Sequence, residues 1–269
     1  MNDPNEIRAA VQNRQPLIHC ITNPISIHQC ANAILAIGAR PIMAEHPAEV
    51  SEITDTANAL MLNLGNITDA RMQSMKVSMS LAVQKNIPII LDAVGVACSN
   101  LRRDYLMELL KIGYPTVIKG NYSEIYALYH AAYRSCGVDA DAMVDADTIC
   151  NIAVQLAKKY HTTILASGKT DIVSAGSRIF QIHNGTPQLS TVTGTGCMLG
   201  ALCGTYLSVC PNTNAAVTAC VVLGVCGQIA KTDKGSGSFM ANLMDALSTL
   251  TDAQLDQYKN IEVIQHEDF

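Results

Sequence analysis

Two glycines and a cysteine stand directly ahead of a small-residue run in Thr191-Val-Thr-Gly-Thr-Gly-Cys-Met-Leu-Gly200. Gly194 and Gly196 let the backbone turn successive N–H groups toward one point, and a helix beginning near Cys197 would bring the positive end of its dipole there. Such a cradle attracts an anion, typically a phosphate. A thiol at a helix start is shifted toward thiolate, which leaves Cys197 open to three roles: proton acceptor, nucleophile, or small buried residue. Asp92 ends the apolar run Ile87-Pro-Ile-Ile-Leu-Asp92, and Lys119 ends Pro115-Thr-Val-Ile-Lys119. In open α/β sheets ligands gather beyond the carboxyl ends of the strands. Asp92 is therefore placed either for chemistry or as the cap of a turn. Asn121 and Glu124 have capping-box spacing, and a carboxylate beyond a strand end equally suits a metal or its bound water. These two readings are compatible. Ser167-Gly-Lys-Thr170 echoes the end of a P-loop, but Thr163 stands where the upstream glycine is required, which excludes that assignment.

The elements that must position these residues follow a strand–helix rhythm. Short apolar runs at Leu17-Ile-His-Cys20, Pro41-Ile-Met-Ala44, Ala59 to Leu64, Ile87 to Asp92, Pro115 to Lys119 and Thr162 to Ala166 read as strands. Helical spacing predicts helices over 25–37, 48–56, 69–85, 100–110, 126–136 and 147–160, with Gly38 closing the first and Thr68 capping the third. Met72, Met75, Met79 and Ala82 form a stripe that reads as core packing. Asp171 to Ser174 and Ser177 to Ile182 flank Ala175-Gly176 as an antiparallel hairpin at one sheet edge. Three helices are expected after that last strand, over 197–208, 214–231 and 237–250. The connection Asp139 to Asp147 reads as a polar surface loop. The pattern predicts one α/β domain over 1–269, with a mainly parallel central sheet between two helical layers.

Forty-nine per cent hydrophobic residues in 269 permit a large core and exclude a disordered chain. A net charge of −5, with no Lys/Arg cluster, argues against nucleic acid as partner. The ten cysteines include no Cys-x-x-Cys pair and sit mostly in apolar surroundings, the pattern of free thiols in a reducing cytoplasm. The polar, acidic Met1 to Glu6 does not read as a signal peptide. The apolar runs Gly196 to Cys210 and Ala215 to Ala230 are too short for membrane spans.

Five blocks in order resemble the hydroxyethylthiazole kinase family of the ribokinase-like fold: His19-Cys-Ile-Thr-Asn23, Ala31 to Gly38 with Pro41-Ile-Met-Ala44, Asp92-Ala-Val-Gly95, Ile118 to Ile125, and Val192 to Leu199. The resemblance covers nearly the whole chain. It implies a three-layer ribokinase-like domain that phosphorylates the alcohol of 4-methyl-5-(2-hydroxyethyl)thiazole with Mg²⁺ and ATP. By position it implies Met43, Gly194 and Asn23 at the thiazole, Lys119, Ser167, Thr195 and Gly196 at ATP, Asp92 and Glu124 near Mg²⁺, and Cys197 as catalytic base. A homotrimer with sites at subunit boundaries is implied as well. Three departures stand out: Ala93 where proline is usual, Lys119 where arginine is common, and Lys169 where an acid is frequent. The rival readings are a hydroxymethylpyrimidine or pyridoxal-like kinase of the same fold, a thiol hydrolase pairing Cys197 with a histidine such as His183, and a non-catalytic nucleotide sensor.

Overall fold

A computed structural model describes residues 3–130, 132–134 and 144–265. The end of the helix expected over 126–136, most of the loop 139–147 and Cys136 lie outside the described residues. Nine strands form one sheet in the order β2-β1-β3-β4-β5-β6-β7-β8-β9. Strands β1 (Leu17–Ile21), β2 (Arg40–Ile42), β3 (Ala59–Asn63), β4 (Ile89–Asp92), β5 (Val117–Asn121) and β6 (Thr163–Ser167) run parallel. Then β7 (Asp171–Ala175), β8 (Arg178–Ile182) and β9 (Ile261–Gln265) continue antiparallel. The central strands are apolar at nearly every position because helices cover both faces of a parallel sheet.

Strand periodicity sends alternate residues into two separate cores. Ile18, Met61, Ile90, Val117 and Leu165 face one core, built with α1 (Pro4–Arg14), α2 (Ile27–Ala36), α8 (Thr195–Leu207), α9 (Thr213–Ile229) and α10 (Ser236–Thr249). Their neighbours Leu60, Leu62, Leu91, Ile118 and Ile164 face the other, built with α3 (Val50–Thr56), α4 (Asp69–Lys85), α5 (Asn100–Ile112), α6 (Tyr122–Tyr129) and α7 (Ala146–Tyr160). Helix, sheet and helix make the three layers that the strand–helix rhythm implies. Within α4, Met75, Met79 and Ala82 are buried and Met72 packs against the same core, so the stripe is packing. Among the described residues no helix is long and apolar enough to cross a membrane, and no two of the described cysteines form a disulfide with each other.

Several elements differ from the sequence expectation. The hairpin β7/β8 turns at Gly176 with φ 65°, but it is not the sheet edge. After α10 the chain adds α11 (Asp252–Tyr258) and returns as β9, so β8 is not the last strand. Helix α1 is not predicted by the apolar spacing, although Asp3 caps it and Pro4 opens it; its mixed polar sequence gives little periodic signal. Helix α6 begins at Tyr122, four residues before the expected start, because the Asn121/Glu124 capping box nucleates it directly at the end of β5.

Candidate functional site

Five of the six parallel strands deliver polar side chains to the same end of the sheet. Strand β1 ends just before Asn23, β3 at Asn63, β4 at Asp92, β5 at Asn121 two residues past Lys119, and β6 at Ser167. These side chains are joined rather than merely adjacent. Lys119 Nζ donates to Asp92 Oδ1 at 2.9 Å, and Asn63 Nδ2 donates to Asp92 Oδ2 at 3.0 Å. The same Asn63 Nδ2 reaches Cys197 Sγ at 3.3 Å, and Asn23 Nδ2 donates to that sulfur at 3.3 Å. Asn63 Oδ1 in turn accepts from Asn23 Nδ2 at 3.1 Å and from the Gly65 amide at 2.8 Å. Asn23 is itself pinned, because its Oδ1 accepts from the Ile25 and Ser26 amides and the Ser26 hydroxyl.

The thiol meets this network because α8 can lie close against β3 and β4. A Cβ on Gly200 would come 2.9 Å from Met61 Cε and 3.2 Å from Asp92 Oδ2, so any side chain there would make the methionine tip and the buried carboxylate give way. The helix starts at Thr195, two residues before the expected start, with Gly194 as N-cap at φ 91°. That correction makes Cys197 its third residue. Met198 N is the first amide bonded back into the helix, to Gly194 O at 2.8 Å. The amides of Thr195, Gly196 and Cys197 are thus the unspent donors of the first turn. The cradle is intact, and the sulfur stands at its inner end.

Burial sets the charges. Asp92 is fully buried, which raises its pKa, while Lys119 and Asn63 pull it down. Burial also works against the Lys119 charge, but Asp92 and then Glu124 outweigh it and hold the ammonium above the ordinary lysine range. The two side chains stand as a buried ion pair. Glu124 accepts from the Gly95 amide through Oε1 and from the Asn121 amide through Oε2, both at 2.7 Å. Burial, then Asp92, pushes its pKa up to about 7, against Lys119 and the two amides. The capping carboxylate is thus also one that lines a cavity beyond the strand ends.

Two cavities meet at this helix start. One, of about 520 Å³, is lined by Asn23, Lys119, Glu124, Gly194 and Cys197, with Asn121 and Arg102 on its wall. The other, of about 650 Å³, is lined by Asp171, His183, Pro187, Leu199, Leu223 and Gly224. Ser167, Thr195 and Gly196 line both. Of the residues singled out in the sequence, Asn23, Asp92, Lys119, Glu124, Ser167, Gly194, Thr195, Gly196 and Cys197 come together here. Asp92 supports Lys119 from beneath and does not itself line either cavity. Met43 does not join them; it follows edge strand β2 and packs partly buried against the α2/α8 core.

Asn63 was missed. It is the one polar letter inside Ala59-Leu-Met-Leu-Asn-Leu64, and the strand-end rule that drew attention to Asp92 applies to it equally. Asp171 was missed as well; burial pushes it up to about 6, against a hydrogen bond from the Gly168 amide. The hydrolase pairing fails on geometry. His183 bonds Thr170 Oγ1 at 3.3 Å and lines the cavity that Cys197 does not enter, and the sulfur's donors are two amides that cannot take a proton.

Comparison with known proteins places the chain among relatives of one family. The sequence model of the hydroxyethylthiazole kinase family matches residues 9–253. Hydroxyethylthiazole kinase 2 of Clostridium botulinum (strain Kyoto / Type A2) is 43% identical over 252 residues, covering 92% of this chain and 95% of that protein. The solved structure of hydroxyethylthiazole kinase from Pyrococcus horikoshii OT3 superposes with a TM-score of 0.90 at 31% identity, covering 98% of this chain and 100% of that one. A ribokinase-like superfamily protein of Enterococcus faecalis V583, 14% identical over 95% of each chain with a TM-score of 0.67, shares the fold.

Proposed function

The chain belongs to the hydroxyethylthiazole kinase family, and from that premise we propose that it transfers the γ-phosphoryl group of ATP to the primary alcohol of 4-methyl-5-(2-hydroxyethyl)thiazole, a step of thiamine salvage. The observation that carries this reading is the meeting of two cavities across the first turn of α8, with the thiol on one side. The larger and more apolar cavity suits the adenosine of ATP, and the smaller suits the alcohol. The amides of Thr195 to Cys197 lie between them, where phosphoryl oxygens would pass.

Phosphoryl transfer depends on alignment and charge stabilisation more than on covalent help from the protein. The α8 amides hold the transferring oxygens, and Lys119 offsets their charge from beneath the cradle, 3.9 Å from where a Cβ on Gly196 would sit. Cys197 takes the hydroxyl proton. Its sulfur already accepts from Asn23 and Asn63, and a thiolate has room for a third donor. General-base help of this kind contributes about 10²–10⁴-fold, less than the roughly 10⁵–10⁸ M effective molarity available from positioning.

Glu124, on the wall of the smaller cavity, fits a Mg²⁺ that would arrive on the nucleotide, whereas Asp92 lines neither cavity and would act on the ion only from behind, through its hold on Lys119. Both Glu124 oxygens already accept an amide, so each would offer only a remaining lone pair, directly or through water. No cluster of three His, Cys, Asp or Glu side chains among the described residues forms an enclosed metal cage. Bound to phosphates, the ion neutralises charge that develops during transfer.

A homotrimer would give Met43 a part in the thiazole pocket of a neighbouring copy, since in its own chain it lines neither cavity. Exposed Ile25, at the rim of the smaller cavity, and exposed Leu35 on α2 are apolar surface that such a neighbour would cover. A cytoplasmic location suits the free thiols. The deciding experiment is ATP-to-ADP turnover with the thiazole alcohol, hydroxymethylpyrimidine and pyridoxal offered in competition. Turnover confined to either of the latter two would move the protein to another kinase activity, and nucleotide binding without turnover on any alcohol would leave only a sensor.

A further inference from the structure

The wall of the smaller cavity carries a cation that the proposed chemistry has not yet used. Arg102, in the first turn of α5, lines that cavity together with Lys119, Glu124 and the α8 cradle. Its one side-chain hydrogen bond among the described residues is from Nη1 to Val94 O at 3.3 Å. A guanidinium has five N–H donors in a planar fork, so most of them stay uncommitted. Lys119 is differently placed: its ammonium is committed to Asp92 in a buried pair, and it is a point charge rather than a fork.

The loop after β4 is shaped around this arginine. Gly95 has φ 79°, and a Cβ there would collide with the guanidinium, so the arginine occupies the space that a side chain at position 95 would fill. The amide of the same Gly95 donates to Glu124. The turn Ala93-Val94-Gly95 is thereby held between the Glu124 carboxylate on one side and the guanidinium on the other. The fork is seated against the turn and remains open to the cavity.

We infer that Arg102 binds the distal phosphates of the nucleotide, its planar fork supplying the bidentate contact that Lys119 cannot. This inference rests on the proposed kinase reading. The triphosphate is strongly anionic, while the two carboxylates of the site counter much of the charge of Lys119, so an uncommitted guanidinium on the same wall is the complementary group. Arg is favoured over Lys wherever planar, two-point recognition of phosphate is needed.

The test is calorimetric titration of the full chain with adenosine monophosphate, ADP, a non-hydrolysable ATP analogue and the phosphate ester of the thiazole alcohol. Arg102→Met should weaken the ATP analogue by roughly tenfold or more, as loss of a charge-assisted pair implies, and leave the monophosphate within about twofold. Arg102→Lys should fall between, with an unchanged melting temperature; it carries the test if the methionine variant does not fold. Unchanged affinity for the ATP analogue would overturn the inference, as would an equal loss for the monophosphate. A loss confined to the phosphate ester would overturn it too, by assigning the fork to product. Failure of the wild-type chain to bind any adenine nucleotide is a separate result, which removes the kinase reading itself.

Discussion

The amide nitrogen of Asn63 lies 3.3 Å from the sulfur of Cys197 while also donating to Asp92. One side chain thus ties the thiol to the buried carboxylate and, through it, to Lys119. Asn63 is fully buried with every polar atom engaged. Asn63→Ala should leave the Gly65 amide and the Asn23 amide without their acceptor, costing about 1–3 kcal/mol for each donor left buried and unpaired. Urea unfolding measures the loss. A drop in kcat larger than any change in KM, measured below the unfolding transition, shows that the thiol has lost its orientation as well.

Cys197→Ser should lower kcat by about tenfold or more and leave the KM for ATP nearly unchanged, the pattern of an interaction made in the transition state. Residual turnover is expected, because the α8 amides and the positioning of both substrates remain. Wild-type kcat in the serine variant would remove the proton-accepting role.

Lys119→Met should be among the most destabilising single changes in the chain. It leaves Asp92 buried without its counter-charge, a situation that typically costs about 3–5 kcal/mol. Pairing it with Asp92→Asn should recover a substantial part of that loss, since the two effects share one interaction. A double-mutant cycle in urea checks this, and strict additivity would show that the ion pair is not the source.

Glu124 gives the pH dependence. Its folded pKa is raised from 4.5 to about 7, so the folded state binds the proton more tightly than the unfolded chain. The contribution to stability is full below pH 4.5 and is lost as the pH rises through about 7. Ionised Glu124 is the form that meets the nucleotide-borne cation, so affinity for Mg²⁺-ATP should improve over the same interval in which this contribution fades. Glu124→Gln should remove the inflection near pH 7 from both the urea midpoint and the KM for Mg²⁺-ATP. An unaltered inflection would assign it to another group.

Much of this arrangement is legible from local sequence, and the reason is visible in particular residues. Helix α4 spans Asp69–Lys85 as its spacing and Thr68 cap imply, and the Asn121/Glu124 box forms as written. These signals work within one or two turns of chain. Asn63 carries the same strand-end signal as Asp92, but its partners Asp92 and Cys197 lie 29 and 134 residues away, so its place between them is not written in the local sequence. Strand β9 escaped for a related reason: Ile261-Glu-Val-Ile-Gln265 is short and largely exposed, and only the free edge of β8 makes it a strand. Cys197 is marked by its glycines, yet its two amide donors come from the turn after β1 and from the end of β3. The position of Met43 outside both cavities is also a property of the tertiary fold, since its neighbours in sequence do not say which cavity it reaches.

The hydrogen bond from Asn23 to Cys197 spans 174 residues. Closing so long a loop costs entropy before any contact returns it, and parallel strands with distant partners assemble slowly. An isolated β1–α2 segment lacks the Cys197 thiol that Asn23 holds, and α8 has no cradle floor until β3, β4 and β5 are in register. During refolding, nucleotide binding should therefore return only after the sheet is complete, with protection of the α8 amides among the last signals to recover. The order in which strands pair, more than the composition of the site, sets when the protein first becomes able to bind.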